Sequence, residues 1–407
     1  MTMLDTDTTV EAKDAGTPLS DTSAKGRGRM GPRFDFKQFD CDSHVQETGN
    51  SWELYLDEAF RDRRPRVIDN SHVSQRPERN KTWYIDGRLV PKNQGAGGVV
   101  MSTPAEMDFA KSKPVPVEVQ ACTDPIQRAD FMRRAGVDRT VLFSTLFLET
   151  LTDDLVYEAA LMRAWNDWMA DMCRQAPDTL QFAALVPIRD PHLAVREMLH
   201  ARERGAATVM ILPTAGERML HDPLLDPFWS EAQNINMPVS VHIGWPNPRV
   251  TNECTSPASI FLGAFDTSVW WGYLSFLAGG IFDRFKHLKV AFMEHDARFF
   301  EVFLARAMHW YPTAACKPWP AKKSPEAYLR EHAVYFSFEG DYAFMPEFLE
   351  IAGPDRVMGA FDFPHTHYGV ASISASFDFM RDHDGLSDEM KRKVLHDNCA
   401  AFYGFTD

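Results

Sequence analysis

Asp40-Cys41-Asp42-Ser43-His44, with Glu47 just beyond, is the stretch on which the reading of this 407-residue chain turns. It closes a first strand signal, and a strand alternates its faces, so Asp42 and His44, two residues apart, point the same way. Two later stretches end in the same kind of side chain: Val241-His242, and Ala360-Phe361-Asp362-Phe363-Pro364-His365. Carboxylates and imidazoles converging from several strand ends make a site for a divalent cation.

Outward from these ends the pattern is regular. Strand signals run over Val137–Phe143, Leu180–Val186, Ala206–Leu212, Pro238–His242, Leu288–Glu294, Ala333–Glu339 and Arg356–Asp362. Helical signals lie between them. Leu155, Met162, Trp165, Met169 and Met172 fall at helical spacing, and Asp190-Pro191 offers an N-cap acid followed by Pro at the first helical position. Eight strands joined by single helices imply right-handed parallel connections. The fold class expected is α/β, a (β/α)8 TIM barrel with its active site at the C-terminal strand ends. Helices at 370–382 and 387–404 follow the last strand. Residues 48–135 lack the strand–helix rhythm, contain Pro65, Pro77, Pro91 and the run Gly95-Ala-Gly-Gly98, and read as a cap-like insertion after the first strand. Residues 1–34, polar and without period, read as a disordered or extended tail; 35–407 read as one domain.

Composition narrows the class. The net charge of −14 argues against a nucleic-acid or anionic-membrane partner. Six cysteines without CxxC spacing form neither a disulfide framework nor a zinc knuckle and suit a reducing cytoplasm. Met1 to Met30 has no apolar core of a signal peptide, and the longest apolar run, Trp270 to Phe282, is too short to span a bilayer. The expectation is a soluble cytoplasmic enzyme acting on a small molecule.

Any one acid at a strand end often only caps a turn; the weight lies in the set Asp42, His44, His242 and Asp362, each at a strand end of one barrel. Here the chain resembles the amidohydrolase-related branch of the amidohydrolase superfamily, of the aminocarboxymuconate-semialdehyde decarboxylase type. The likeness runs from Phe34 to Phe405. It is carried by Phe39-Asp-Cys-Asp-Ser-His-Val-Gln-Glu47, Arg163-Ala-Trp-Asn-Asp-Trp168, Pro238-Val-Ser-Val-His-Ile-Gly244, Leu288-Lys-Val-Ala-Phe-Met-Glu-His295, Gly359-Ala-Phe-Asp-Phe-Pro-His365 and Asn398-Cys-Ala-Ala-Phe-Tyr403. The resemblance implies Asp42, His44, His242 and Asp362 as metal ligands. Two departures stand out: Asp42-x-His44 where the family has His-x-His, and Glu294 with His295 beside it where the family has its sixth-strand histidine. The added carboxylate hardens the donor set and tilts it from zinc toward manganese or iron.

Such a site supports a metal-dependent hydrolase, with Asp362 as general base, or a non-oxidative decarboxylase of a small, aromatic organic acid. Glu294 and His295 are further catalytic candidates. Glu47, Glu294, His295, His365 and His367 are surplus donors, enough for a second cation, and a dinuclear iron or manganese oxygenase is the alternative. A third reading is a non-catalytic subunit of a heteromeric complex; a homo-oligomer is the default assembly.

Overall fold

The computed structural model describes residues 34–69, 81–90, 115–254, 256–295, 297–339, 344–365 and 375–406. Nearly all of the expected N-terminal tail (1–33), the Gly95–Gly98 run and His367 lie outside the described residues.

Eight strands pair in sequence order: β1 Phe39–Val45, β2 Arg139–Ser144, β3 Leu180–Leu185, β4 Thr208–Ile211, β5 Val239–His242, β6 Lys289–Met293, β7 Ala333–Phe338 and β8 Val357–Gly359. Every ladder among them is parallel. The longest helix in each connection is, in order, α1 Pro125–Arg134, α2 Leu155–Cys173, α3 Pro191–Glu203, α4 Asp226–Asn234, α5 Asp266–Leu277, α6 Ala297–Trp310 and α7 Met345–Ala352, with α8 Ala375–Arg381 after β8. Strands buried on both faces and wrapped by helices make the expected TIM barrel. The terminal stretch read as one helix is interrupted: Asp388–Arg392 and Asn398–Tyr403 flank a widened π turn at Lys393–Asp397.

Local chemistry starts the helices where the sequence suggests. Asp190 accepts from the backbone N–H groups of His192 and Leu193 at 2.9 and 3.0 Å, and Asp154 caps α2 in the same way. Behind β6 and β7 an aromatic layer fixes the strand ends that matter. The Tyr273 ring lies 4.8 Å from Phe292 and 5.0 Å from Phe300, and Phe300 lies 4.5 Å from Phe336. Each such buried ring is worth roughly 1.5–3 kcal/mol in burial.

The segment between β1 and β2 is not featureless. Arg66–Asp69, Lys81–Ile85 and Arg88–Val90 form a three-stranded antiparallel sheet. Its last part, α1, is the ordinary helix that joins β1 to β2, so that part of 48–135 belongs to the barrel. Arg88–Val90 also walls a cavity of about 820 Å³ with the loops after β2, β4 and β5, including Glu149, Gly216 and Trp245. These loops leave C-terminal strand ends, so the sheet stands beside the barrel mouth.

β8 does not pair with β1 by a regular ladder. The gap closes through three bonds past the end of β8: Asp362 N–H to Asp42 O (2.8 Å), His44 N–H to Phe363 O (2.6 Å), and Phe361 N–H to Asp40 Oδ1 (2.8 Å).

Candidate metal centre

β1 carries one extra residue. Its register with β2 jumps between Asp40 and Ser43, a bulge that bends the strand and re-aims its side chains. Asp40, which strict alternation would aim with Asp42 and His44, is held elsewhere. Its carboxylate accepts from Asp42 N, Phe361 N, Ser43 Oγ and Thr140 Oγ1. Burial pushes its pKa up to about 7, against the pull of those four donors.

Asp42 and His44 converge with His242 from β5. His44 Nε2 lies 3.5 Å from Asp42 Oδ1, and His242 Nε2 lies 3.5 Å from Asp42 Oδ2. The two imidazole Nε2 atoms are 3.1 Å apart. Each ring's Nδ1 faces a carbonyl: Ser144 O at 3.2 Å for His44, Ile243 O at 2.8 Å for His242. A neutral imidazole whose Nδ1–H donates to such a carbonyl keeps its Nε2 lone pair, and two such lone pairs cannot bond to each other. Two lone pairs aimed at one point, with carboxylates around them, fit a shared cation: ligand nitrogens about 2.0–2.1 Å from one ion stand roughly 3 Å apart. Burial, helped by the neighbouring His365 ring, holds the His44 pKa well below the usual histidine value, which keeps its lone pair available.

Glu294 enters from the end of β6. Met293 is the partner of His242 in the ladder, so continued alternation would send Glu294 to the opposite face. Instead Glu294 takes a left-handed conformation, φ 56°, and its Oε2 stands 3.7 Å from His242 Nε2. His295 is thereby turned to the helix layer, its ring 5.2 Å from Tyr273 and 5.4 Å from Phe292. Neither of its nitrogens has a hydrogen-bond partner among the described residues.

Asp362 is also left-handed, φ 49°. Its Oδ1 lies 3.4 Å from His44 Nε2 and 3.0 Å from His365 Nδ1, and His365 Nε2 meets Thr145 Oγ1 at 3.0 Å. Two overlapping donor groups result: Asp42, His44 and His242; and His44, Glu294, Asp362 and His365. Of the residues singled out in the sequence, the structure gathers six here. Glu47 is not among them, for a physical reason. Its carboxylate is consumed by Ser144 Oγ (2.5 Å), Trp165 Nε1 (2.9 Å) and Leu146 N (3.1 Å), tying β1 to β2 and α2. His295 also lies outside both groups. Thr145, which orients His365, carried no sequence signal beyond its place at the end of β2.

Buried carboxylates and imidazoles at the C-terminal mouth of a TIM barrel define the class of metal-centred barrel enzymes. The family model described as amidohydrolase matches residues 40–405. The chain belongs to the amidohydrolase family and is an enzyme of it. It is 24% identical over 219 residues to the decarboxylase orsB of Emericella nidulans, spanning 51% of this chain and 65% of that one. It is likewise 24% identical over 261 residues to a gamma-resorcylate decarboxylase of a Polaromonas species, spanning 58% and 76%. Among solved structures, an amidohydrolase from Mycobacterium avium subsp. paratuberculosis superposes with a TM-score of 0.71 at 20% identity, over 91% of this chain and 100% of that one. The 5-carboxyvanillate decarboxylase of Novosphingobium aromaticivorans, complexed with manganese and a nitrobenzoic acid, superposes with a TM-score of 0.62 at 19% identity, over 91% and 97%. The two sequence relatives and the 5-carboxyvanillate enzyme are decarboxylases, which weighs against the dinuclear oxygenase alternative. Among the described residues no helix is long and apolar enough to cross a membrane.

Proposed function

We propose that this chain is a divalent-metal-dependent, non-oxidative decarboxylase of a hydroxylated aromatic acid. The observation that carries the reading is the pair of facing Nε2 atoms of His44 and His242, 3.1 Å apart, ringed by Asp42, Glu294 and Asp362 in a chain whose relatives decarboxylate aromatic acids. Those five residues would hold one ion. Three carboxylates beside two imidazoles favour manganese over zinc. When bound, the cation polarises the substrate's carboxylate and an adjacent oxygen.

The chain's own part is proton management. Ar–COO⁻ plus H⁺ gives Ar–H plus CO₂: the ring carbon keeps the electron pair of the broken C–C bond and takes one proton, with no oxidant. Asp362 is the donor in this reading. His365, whose Nδ1 lies 3.0 Å from Asp362 Oδ1 and whose Nε2 meets Thr145 Oγ1, would relay the proton that resupplies it. Glu294 and His295 are kept as secondary candidates, Glu294 beside the cation and His295 behind it. The cytoplasm is the proposed compartment, supported by six cysteines that are all unpaired.

The test is elemental analysis of protein purified without chelators, joined to a screen of hydroxybenzoic acids for CO₂ release under strict anoxia. About one manganese or zinc per chain and anaerobic turnover support the reading. Close to two irons with O₂ consumption, or hydrolysis of an ester or amide without CO₂, would replace it.

A further inference from the structure

Among the described residues three N–H bonds close the barrel between β8 and β1, and each involves a metal-ligand candidate or its chain neighbour: Asp362 N–H to Asp42 O, His44 N–H to Phe363 O, and Phe361 N–H to Asp40 Oδ1. Regular ladders fix the other strand pairs over several residues. This seam is short, and the ligands His44 and Asp362 face each other across it at 3.4 Å.

A fully buried arginine enters the seam from α1. Arg128 Nη1 donates to Val119 O at 3.0 Å, and Nη2 is shared between His44 O at 3.1 Å and Phe363 O at 3.4 Å. The guanidinium carbon lies 4.3 Å from the centre of the Phe363 ring. α1 itself is seated by Asp124, which accepts from Gln127 N at its first turn. Among the described residues no carboxylate pairs with Arg128. Burial lowers its pKa to about 10, so it is still a cation at neutral pH. Burying a charge with only the more distant Asp40 carboxylate to offset it is costly, and a hydrophobic residue of similar volume is often neutral or stabilising at such a place. Packing alone therefore does not account for it. A rigid guanidinium anchored through Nη1 on Val119 O, with Nη2 reaching carbonyls on both sides of the seam, does.

We propose that Arg128 is a positioning residue for the metal centre, its guanidinium holding the backbone of His44 against that of Phe363 and so setting the separation of the His44 and Asp362 side chains. The proposal rests on the metal reading of the site. Arg128 touches neither the substrate nor the reacting atoms in this account; it acts through the ligands it spaces. Asp40 works on the same seam from the other side, since its Oδ1 receives Phe361 N–H while its Oδ2 is fixed by Ser43 and Thr140.

Removing a group that orients a metal ligand typically lowers metal affinity 10–100-fold. The test is titration of chelator-stripped full-length protein with Mn²⁺, without substrate, for wild type, Arg128→Met, Arg128→Lys and a control, Leu349→Ala. Leu349 is buried on α7, the helix between β7 and β8, and supplies none of the seam's bonds, so its truncation lowers stability without removing a contact to the ligands. Urea unfolding of each variant reports stability separately. Arg128→Met is expected to bind Mn²⁺ about 10–100-fold more weakly and to release it faster. Arg128→Lys, which keeps the charge but not the fork, is expected between the two, and Leu349→Ala to bind as wild type does. Should Arg128→Met not fold, Arg128→Lys decides alone: weaker binding supports the proposal and wild-type binding overturns it. Variants that lose stability but keep wild-type affinity overturn it as well. A wild-type chain that binds neither Mn²⁺ nor Zn²⁺ would instead refute the metal reading, and the proposal with it.

Discussion

Gly244 follows the metal-ligand candidate His242 by two residues, and the chain there runs against the loop after β2 with no room for a side chain. A Cβ built on Gly244 would lie 2.4 Å from Leu148 O, 2.9 Å from Leu212 Cδ2 and 3.2 Å from the Leu148 carbonyl carbon. Real Cβ atoms essentially never come within 3.0 Å of such a neighbour, so Gly244→Ala must open the first contact by at least 0.6 Å, from 2.4 to 3.0 Å. The obstacle is backbone, and it is pinned: Leu148 O accepts from Trp245 N–H at 2.9 Å. The displacement therefore falls on the exit of β5, where His242 stands. Overpacking of this kind costs about 1–3 kcal/mol of stability. A shift of half an ångström to one ångström in a ligand costs on the order of 10–100-fold in turnover. Gly272→Ala is the control. Its Cβ would meet Phe292, Pro213 and Val241 at 3.4–3.6 Å, ordinary contacts, and α5 gains from losing a helical glycine. Urea unfolding, Mn²⁺ titration and CO₂ release should find Gly244→Ala impaired in all three and Gly272→Ala in none. A Gly244→Ala variant with wild-type affinity and turnover would refute the packing argument.

Two further outcomes can be checked directly. His242→Ala removes one of the two facing Nε2 atoms, and metal content after gel filtration should fall from about one per chain to near zero, with turnover lost; a variant that keeps its metal would show that His242 is not a ligand. Glu47 is lifted by burial from 4.5 to about 7, so the folded state binds its proton more tightly than the unfolded chain does. That contribution to stability is fully present below pH 4.5 and is lost as pH rises through 7, on the order of 3 kcal/mol for a shift of this size. Glu47→Gln lacks this titration, so its stability relative to wild type should improve between pH 5 and pH 8; parallel pH profiles would contradict the assignment.

Much of the site is legible in the sequence because its donors sit where period-2 alternation and strand ends put them. Asp42 and His44 share a face, and His242 is the last residue of β5. The departures arise where the backbone breaks that periodicity. The β1 bulge takes Asp40 out of the site and makes it a staple for the seam. The left-handed turn at Glu294 brings in the carboxylate and sends His295 to the helix layer, a choice alternation alone could not make. Glu47 carried the right chemistry at the right strand end, and only the positions of Ser144, Trp165 and Leu146 show that its oxygens are already engaged. Arg128 had no signal at all, because a guanidinium held by carbonyls leaves no partner residue in the sequence to pair with it.

The same departures bear on what a bound cation would do for the fold. Glu294 and Asp362 both hold non-glycine left-handed conformations, each costing on the order of 1–3 kcal/mol. Three carboxylates and two imidazoles are also gathered in a buried space, where like charges repel. An arrangement this costly persists when something binds the folded state alone, and a divalent ion does so by mass action. At a free ion concentration 100 times the Kd the gain is about 2.7 kcal/mol, rising to about 4.1 kcal/mol at 1,000 times. Stripping the metal with a chelator should therefore lower the urea midpoint at unchanged slope, and adding back Mn²⁺ should restore it in proportion to the logarithm of its concentration. Magnesium, which dehydrates reluctantly and prefers all-oxygen sites, should restore far less. If stripped and reloaded protein unfold at the same urea concentration, the ligands are held in place by the barrel alone, and the cost assigned to Glu294 and Asp362 is met by packing.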